Sequence, residues 1–147
     1  MFNAFKKLIG KNPAIEIDDG KATILAIASL LVEAGRADDV YSKDERRLIE
    51  TLLIDKFSVA AAEASSIVDQ AERKQADAVD LFTFVRDAKR LAYDEKVMLI
   101  ESLWRVILSD GKKDAWEDML VRRVCGLLHV EDVDSGLARK RVEREIA

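Results

Sequence analysis

The sequence predicts an all-α fold: a single compact helical domain of about seven to eight helices, with two pseudo-symmetric helix-loop-helix halves around a buried central helix pair. Three observations predict it. The 147 residues include one proline, Pro13, and 6 glycines, so long helices can run with few interruptions. Apolar side chains recur at helical spacing along every long segment. Finally, one unit occurs twice. Ala37-Asp38-Asp39-Val40-Tyr41-Ser42-Lys43-Asp44-Glu45, leading into Leu48-Ile49, is answered by Ser109-Asp110-Gly111-Lys112-Lys113-Asp114-Ala115-Trp116-Glu117, leading into Leu120-Val121. A constant 72 residues separate Asp38 from Asp110, Ser42 from Asp114, Glu45 from Glu117 and Leu48 from Leu120.

Along the chain, residues 1–19 read as a short amphipathic helix and connector, and residues 20–147 as the helical domain. In the first segment Phe2, Phe5, Leu8 and Ile9 share one side and Lys6, Lys7 and Lys11 lie elsewhere. Such a helix either docks on the domain or, through residues 1–11, makes a weak contact with an anionic membrane surface. Asn12-Pro13 breaks it. Asp18-Asp19-Gly20 then opens a helix over residues 21–37 whose Ile24, Leu25, Ile27, Leu30 and Leu31 leave almost no polar face, the mark of burial all round. Its repeat partner over residues 94–109 is equally saturated, with Leu99, Ile100, Leu103, Trp104 and Ile107. These two form the expected central pair. After each acidic loop comes an outer helix with a single apolar stripe, over residues 43–56 and 115–129. Between the copies, Ser58 is placed to cap an alanine-rich helix reaching Ala76, and Asp80 to start another reaching Arg90. Asp134-Ser135 begins a charged terminal helix.

Composition excludes several function classes. The net charge of −4 arises from 24 basic and 28 acidic residues that are interspersed, without the field of one sign that nucleic-acid binding needs. A lone Cys125 on an apolar face excludes an intrachain disulfide framework and is expected to be a core thiol in a reducing compartment. The N-terminus lacks the uninterrupted apolar stretch of a secretion signal. The longest apolar run, residues 22–32, falls short of the ~20 residues of a spanning helix. A cytoplasmic location is therefore expected. His129 reads as a helix C-terminal residue favoured by the dipole, and Trp104 and Trp116 as packing residues. No nucleophile-base constellation, Gly-rich phosphate loop or Cys/His ligand spacing is present, so no catalytic residue is expected.

The acidic loops carry the functional question. Ser42-x-x-Glu45 and Asp114-x-x-Glu117 both have the form of a capping box, which alone explains four residues. Asp38, Asp39 and Asp110 precede the helices and have no capping duty. If a pseudo-two-fold apposes the loops, crowded carboxylates call for a neutralising cation, and a hard divalent ion with oxygen ligands suits them. Neither loop is an EF-hand. Counted from Asp38, the glycine and bidentate positions hold Lys43 and Ile49; counted from Asp110, they hold Ala115 and Val121. A metal site would therefore be assembled between loops, from Asp38, Asp39, Glu45, Asp110, Asp114 and Glu117.

Leu31-Val32-Glu33-Ala34 through Asp38, Tyr41-Ser42-x-Asp44-Glu45-Arg46, Leu103-Trp104 through Asp110-Gly111, and Trp116-Glu117-Asp118-x-Leu120-Val121-Arg122-Arg123-Val124 through Leu127-Leu128 resemble the tellurite-resistance TerB-like family. Ala76-x-x-x-Asp80-Leu81-x-x-Phe84 resembles its proteobacterial branch. The resemblance implies a non-enzymatic, cytoplasmic, all-helical bacterial domain with repeated halves and an acidic metal-binding centre, associated with stress and metal resistance and with membrane-linked partners. Asp38, Glu45, Asp110 and Glu117 match the family's acidic positions. Asp39 stands where glycine is common, and Asp114 where His or Asp is expected.

The leading expectation is a module that senses or buffers a divalent cation (calcium, manganese or zinc) and passes this to a protein partner. The alternative is a structural interaction domain whose acidic loops are only helix caps. A metal-dependent hydrolase ranks third, because it would need a base poised beside the ligands.

Overall fold

The structure, a computed structural model, describes residues 16–36, 41–76, 81–109 and 115–146; the side chains of residues 16–19, 75–76 and 115–117 lie outside that description. Seven helices and no strand occur among the described residues: α1 (Glu16–Arg36), α2 (Lys43–Phe57), α3 (Ala61–Ala76), α4 (Leu81–Ala88), α5 (Tyr93–Leu108), α6 (Ala115–Leu128) and α7 (Asp132–Ile146). The all-α expectation holds. None of these helices is long and apolar enough to cross a membrane.

α1 and α5 form the predicted central pair. Ile27, Leu30 and Leu31 on the first and Leu99, Ile100 and Leu103 on the second are fully buried, and the two helices pack on each other. Each also gathers its own half. α2 and α3 pack on α1, α6 and α7 pack on α5, and α4 lies on α1 while touching α6. A third helix is thus packed on each helix-loop-helix half.

The third member of each unit escaped the sequence reading because the register slips. α2 has 15 residues and α6 has 14, so after them the offset falls from 72 to 71, the separation of the α3 and α7 starts at Ala61 and Asp132. On that offset the inward residues Ala64 and Ala71 of α3 correspond to Ser135 and Val142 of α7, all buried.

Both outer helices end the same way. Ser58 follows α2 with φ 59°, and His129 follows α6 with φ 61°, each in the left-handed region. The next residue turns inward: the Val59 N–H donates to the Leu53 carbonyl at 3.0 Å and the Val130 N–H to the Cys125 carbonyl at 2.9 Å, with both valines buried. Ser58 therefore ends the preceding helix instead of capping the next, because a left-handed residue cannot supply the extended backbone of an N-cap. The first turn of α3 is organised by the Ala60 carbonyl, which accepts from the Glu63 and Ala64 N–H groups.

Two other boundaries differ from the sequence reading. α1 begins at Glu16, so Asp18-Asp19-Gly20 lie inside it, and α7 begins two residues before Asp134. Residues 1–11 and Asp80 fall outside the described residues.

Candidate acidic-loop site

The start of α2 is built around Ser42, whose backbone is extended (φ −90°, ψ 166°). Its Oγ accepts from the Glu45 N–H at 3.1 Å, and Glu45 Oε1 accepts from the Ser42 N–H at 3.2 Å, so the capping box foreseen in the sequence is complete. Glu45 is buried. Gly35, near the end of α1, makes the close approach possible: a Cβ there would sit 3.0 Å from Tyr41 Cδ1 and 3.5 Å from Glu45 Oε2.

The residues just outside the loop are tied to α3. The Tyr41 hydroxyl donates to Glu72 Oε2 at 2.7 Å, and the Arg36 guanidinium lies 5.3 Å from the Tyr41 ring centroid. Burial, reinforced by the Glu72 hydrogen bond, raises the Tyr41 pKa well above the usual phenol value. Arg46 is the hub. It reaches Glu50 at 3.1 Å, Asp69 and Glu72 at 2.8 Å, and both the carbonyl and Oγ of Ser65 at 3.1 Å. Burial opposes its charge, yet the surrounding carboxylates outweigh that penalty and raise its pKa. The frame next to the first loop is therefore cross-linked, with one guanidinium shared among three carboxylates.

Of the residues proposed for metal binding, only Glu45 has a described side chain, and that side chain bonds Ser42 in its own half. Asp38, Asp39, Asp110 and Asp114 lie outside the described residues, as does the side chain of Glu117 in the first turn of α6. Among the described residues, no group of three His, Cys, Asp or Glu is placed to hold a metal. Glu33, near the end of α1, lines a recess of about 430 Å³ together with Met119, Leu120, Arg122 and Arg123 of α6 and Leu81 of α4.

The second half has its own polar clamp. Arg139 on α7 lies 3.6 Å from Asp118 on α6, and its guanidinium stands 4.9 Å from the Trp104 ring centroid. Trp104 Nε1 donates to Ser135 Oγ at 3.3 Å. Trp104 and Cys125 are core residues, as expected, and burial raises the Cys125 pKa. These clamps were missing from the sequence reading. The Arg46–Glu50 pair was legible as an i,i+4 spacing, but Asp69, Glu72 and Arg139 become partners only when helices pack.

Comparison with known proteins gives one family. The family model described as "Tellurite resistance protein TerB" matches residues 24–140. No curated protein and no solved structure matches the chain. The matched span runs from α1 into α7 and takes in both three-helix units, so the chain belongs to the TerB tellurite resistance family.

Proposed function

We propose that the protein is a non-enzymatic module of a tellurite- or metal-resistance system. In this reading it binds a divalent cation (calcium, manganese or zinc) between its acidic loops and signals this to a protein partner in the cytoplasm. One observation carries the reading: Ser42 is the cap of α2, so Asp38 and Asp39 are surplus to the needs of that helix. Carboxylates beyond those that a helix cap uses gain most from an added cation.

Calorimetry and thermal melting of the folded full chain with each of the three ions test this. Binding to the folded state stabilises it by mass action, by about 2.7 kcal/mol at a hundredfold excess over Kd, and so raises the melting temperature. Replacing Asp38 and Asp110 together by Asn should abolish both the heat and the shift. No heat and no shift with any of the three ions would sink the proposal.

A second reading, a structural interaction domain, is favoured by Glu45, whose buried carboxylate already serves the cap. It predicts that the same double substitution leaves partner binding unchanged.

A further inference from the structure

α4 and α6 run side by side and leave a seam on the surface. At one end Leu81 shares the 430 Å³ recess with Met119 and Leu120; at the other, a hollow of about 250 Å³ is lined by Phe82, Val85, Arg86, Lys89 and Leu127. From Leu120 to Leu127 the seam covers about two helical turns, roughly 10 Å. Two large apolar side chains along it are open to solvent while Val85 and Leu120 beneath are buried. Phe82 is 56% exposed and Met119 60%, the largest values among the described apolar residues of these two helices.

The seam is rimmed by cations in a chain whose net charge is −4. Arg122 and Arg123 stand beside the recess, and Arg86 and Lys89 beside the hollow. Unlike Arg46, these groups are poorly neutralised by the described residues. Among the described residues Lys89, Arg122 and Arg123 have no ion pair, and Arg86, 75% exposed, has only Asp87 at 3.9 Å. Among the described residues, Glu33 is the one carboxylate lining the recess.

We infer that this seam is a docking groove for an acidic amphipathic helix of a partner protein. Its apolar residues, spaced about a heptad apart, would enter the recess and the hollow, while its carboxylates meet Arg86, Arg122 and Arg123. Arginine suits that role because its planar fork pairs bidentately with carboxylate, and methionine lines adaptable grooves. Other occupants fit less well. A bilayer is flat and leaves a concave recess unfilled. The chain's own residues 1–11 carry Lys6, Lys7 and Lys11, of the same sign as the rim. A second copy docking by the same face would set like charges against each other.

The inference names the chemistry of the protein partner in the function proposed above and rests on that reading only for the existence of a partner. The probe is a synthetic peptide helix with leucines at i, i+3, i+7 and i+10 and glutamates on its flanks, titrated into the full chain and followed by fluorescence anisotropy. Saturable binding is expected, weakening at least tenfold with Arg86→Glu plus Arg123→Glu, and likewise with Phe82→Ser plus Met119→Ser. All four positions are at the surface, and circular dichroism checks that each variant stays folded. A lysine-flanked version of the peptide should not bind.

Absence of binding, or binding that these substitutions leave unchanged, overturns the inference. So does binding of phosphatidylserine vesicles or of a peptide of residues 1–11 in place of the acidic helix, when the same substitutions abolish it. A concentration-dependent dimer in sedimentation that Phe82→Ser plus Met119→Ser dissociates assigns the seam to self-association, and also overturns it. Cation calorimetry on the same variants is unaffected by any of these outcomes, so the docking groove and the cation site can fail separately.

Discussion

The two halves of the molecule share a skeleton and differ in the sign of the clamp that joins their second and third helices. In α1–α3 the middle helix supplies a cation, Arg46, and Glu50, Asp69 and Glu72 converge on it within 3.1 Å. In α5–α7 the residue 72 positions later is Asp118, and the cation comes from the last helix as Arg139, at 3.6 Å. The apolar positions did not invert. Leu31 and Leu103, also 72 apart, are both fully buried. Packing between helices demands a fixed shape, whereas a clamp demands only complementary charge, so a duplicated chain can exchange the second without disturbing the first.

Breaking the matched core residues should give the largest effects. Leu31→Ala and Leu103→Ala each leave a cavity at the central pair and should each cost about 3 kcal/mol. Urea denaturation with fluorescence detection measures both, and costs differing by more than about 1.5 kcal/mol would show that the halves are not equivalent in packing. The clamps should then separate. Arg46→Met keeps the apolar stem but removes the charge on which three carboxylates converge, and should cost about 2 kcal/mol. Asp118→Asn loosens a longer pair and should cost about 0.5 kcal/mol. Equal losses would mean that the tighter geometry of the first clamp has no energetic weight.

A second contrast between the halves is sensitive to pH. At the matching register, α1 buries Thr23 and α5 buries Glu95, 72 residues on. Thr23 Oγ1 reaches the Asp87 carbonyl at 3.4 Å. Glu95 Oε1 accepts from the Ala92 N–H at 3.0 Å, while its buried Oε2 has no hydrogen-bond partner among the described residues. Burial lifts the pKa of this carboxyl above its ordinary value, with the Ala92 N–H opposing in part. The folded state therefore holds the proton more tightly than the unfolded chain, where Glu titrates near ~4.3. The resulting stability is fully present below that unfolded value and is lost as pH rises through the folded pKa. Relative to Glu95→Gln, which keeps the acceptor oxygen, the wild-type protein should lose melting temperature as pH rises above the unfolded carboxyl range and through the raised pKa of Glu95. Thr23→Val should show an offset independent of pH. A flat difference between wild type and Glu95→Gln would contradict the raised pKa.

The sequence carried the class, the central pair and the first capping box because each is written in local spacing. Saturated apolar runs mark α1 and α5, and Ser42-x-x-Glu45 is complete within four residues. What it did not carry depends on packing or on a slipped register. Asp69 is an ordinary solvated aspartate until α2 and α3 come together. The α3–α7 equivalence is hidden by the single residue missing from α6. The candidate site was legible as a set of surplus carboxylates, but the spacing of Asp38 and Asp110 along the chain says nothing about the distance between them in the fold.

Ser58 shows how local chemistry misleads when geometry decides. Serine next to a helix reads as an N-cap on composition, yet its φ of 59° gives it the role more often taken by glycine at a helix C-terminus, and His129 repeats it at 61°. The left-handed conformation costs a residue with a Cβ about 1 kcal/mol, and the greater freedom of glycine in the unfolded chain takes back roughly half of any gain from replacing it. Ser58→Gly and His129→Gly should therefore each stabilise the protein slightly, by about 0.5 kcal/mol, with histidine gaining less because it tolerates this region better than serine. Ser58→Ala and His129→Ala separate the backbone effect from lost side-chain contacts. They retain the Cβ and so should bring no gain, and an alanine that stabilised as much as glycine would show that the strain lies in the side chain and not in φ.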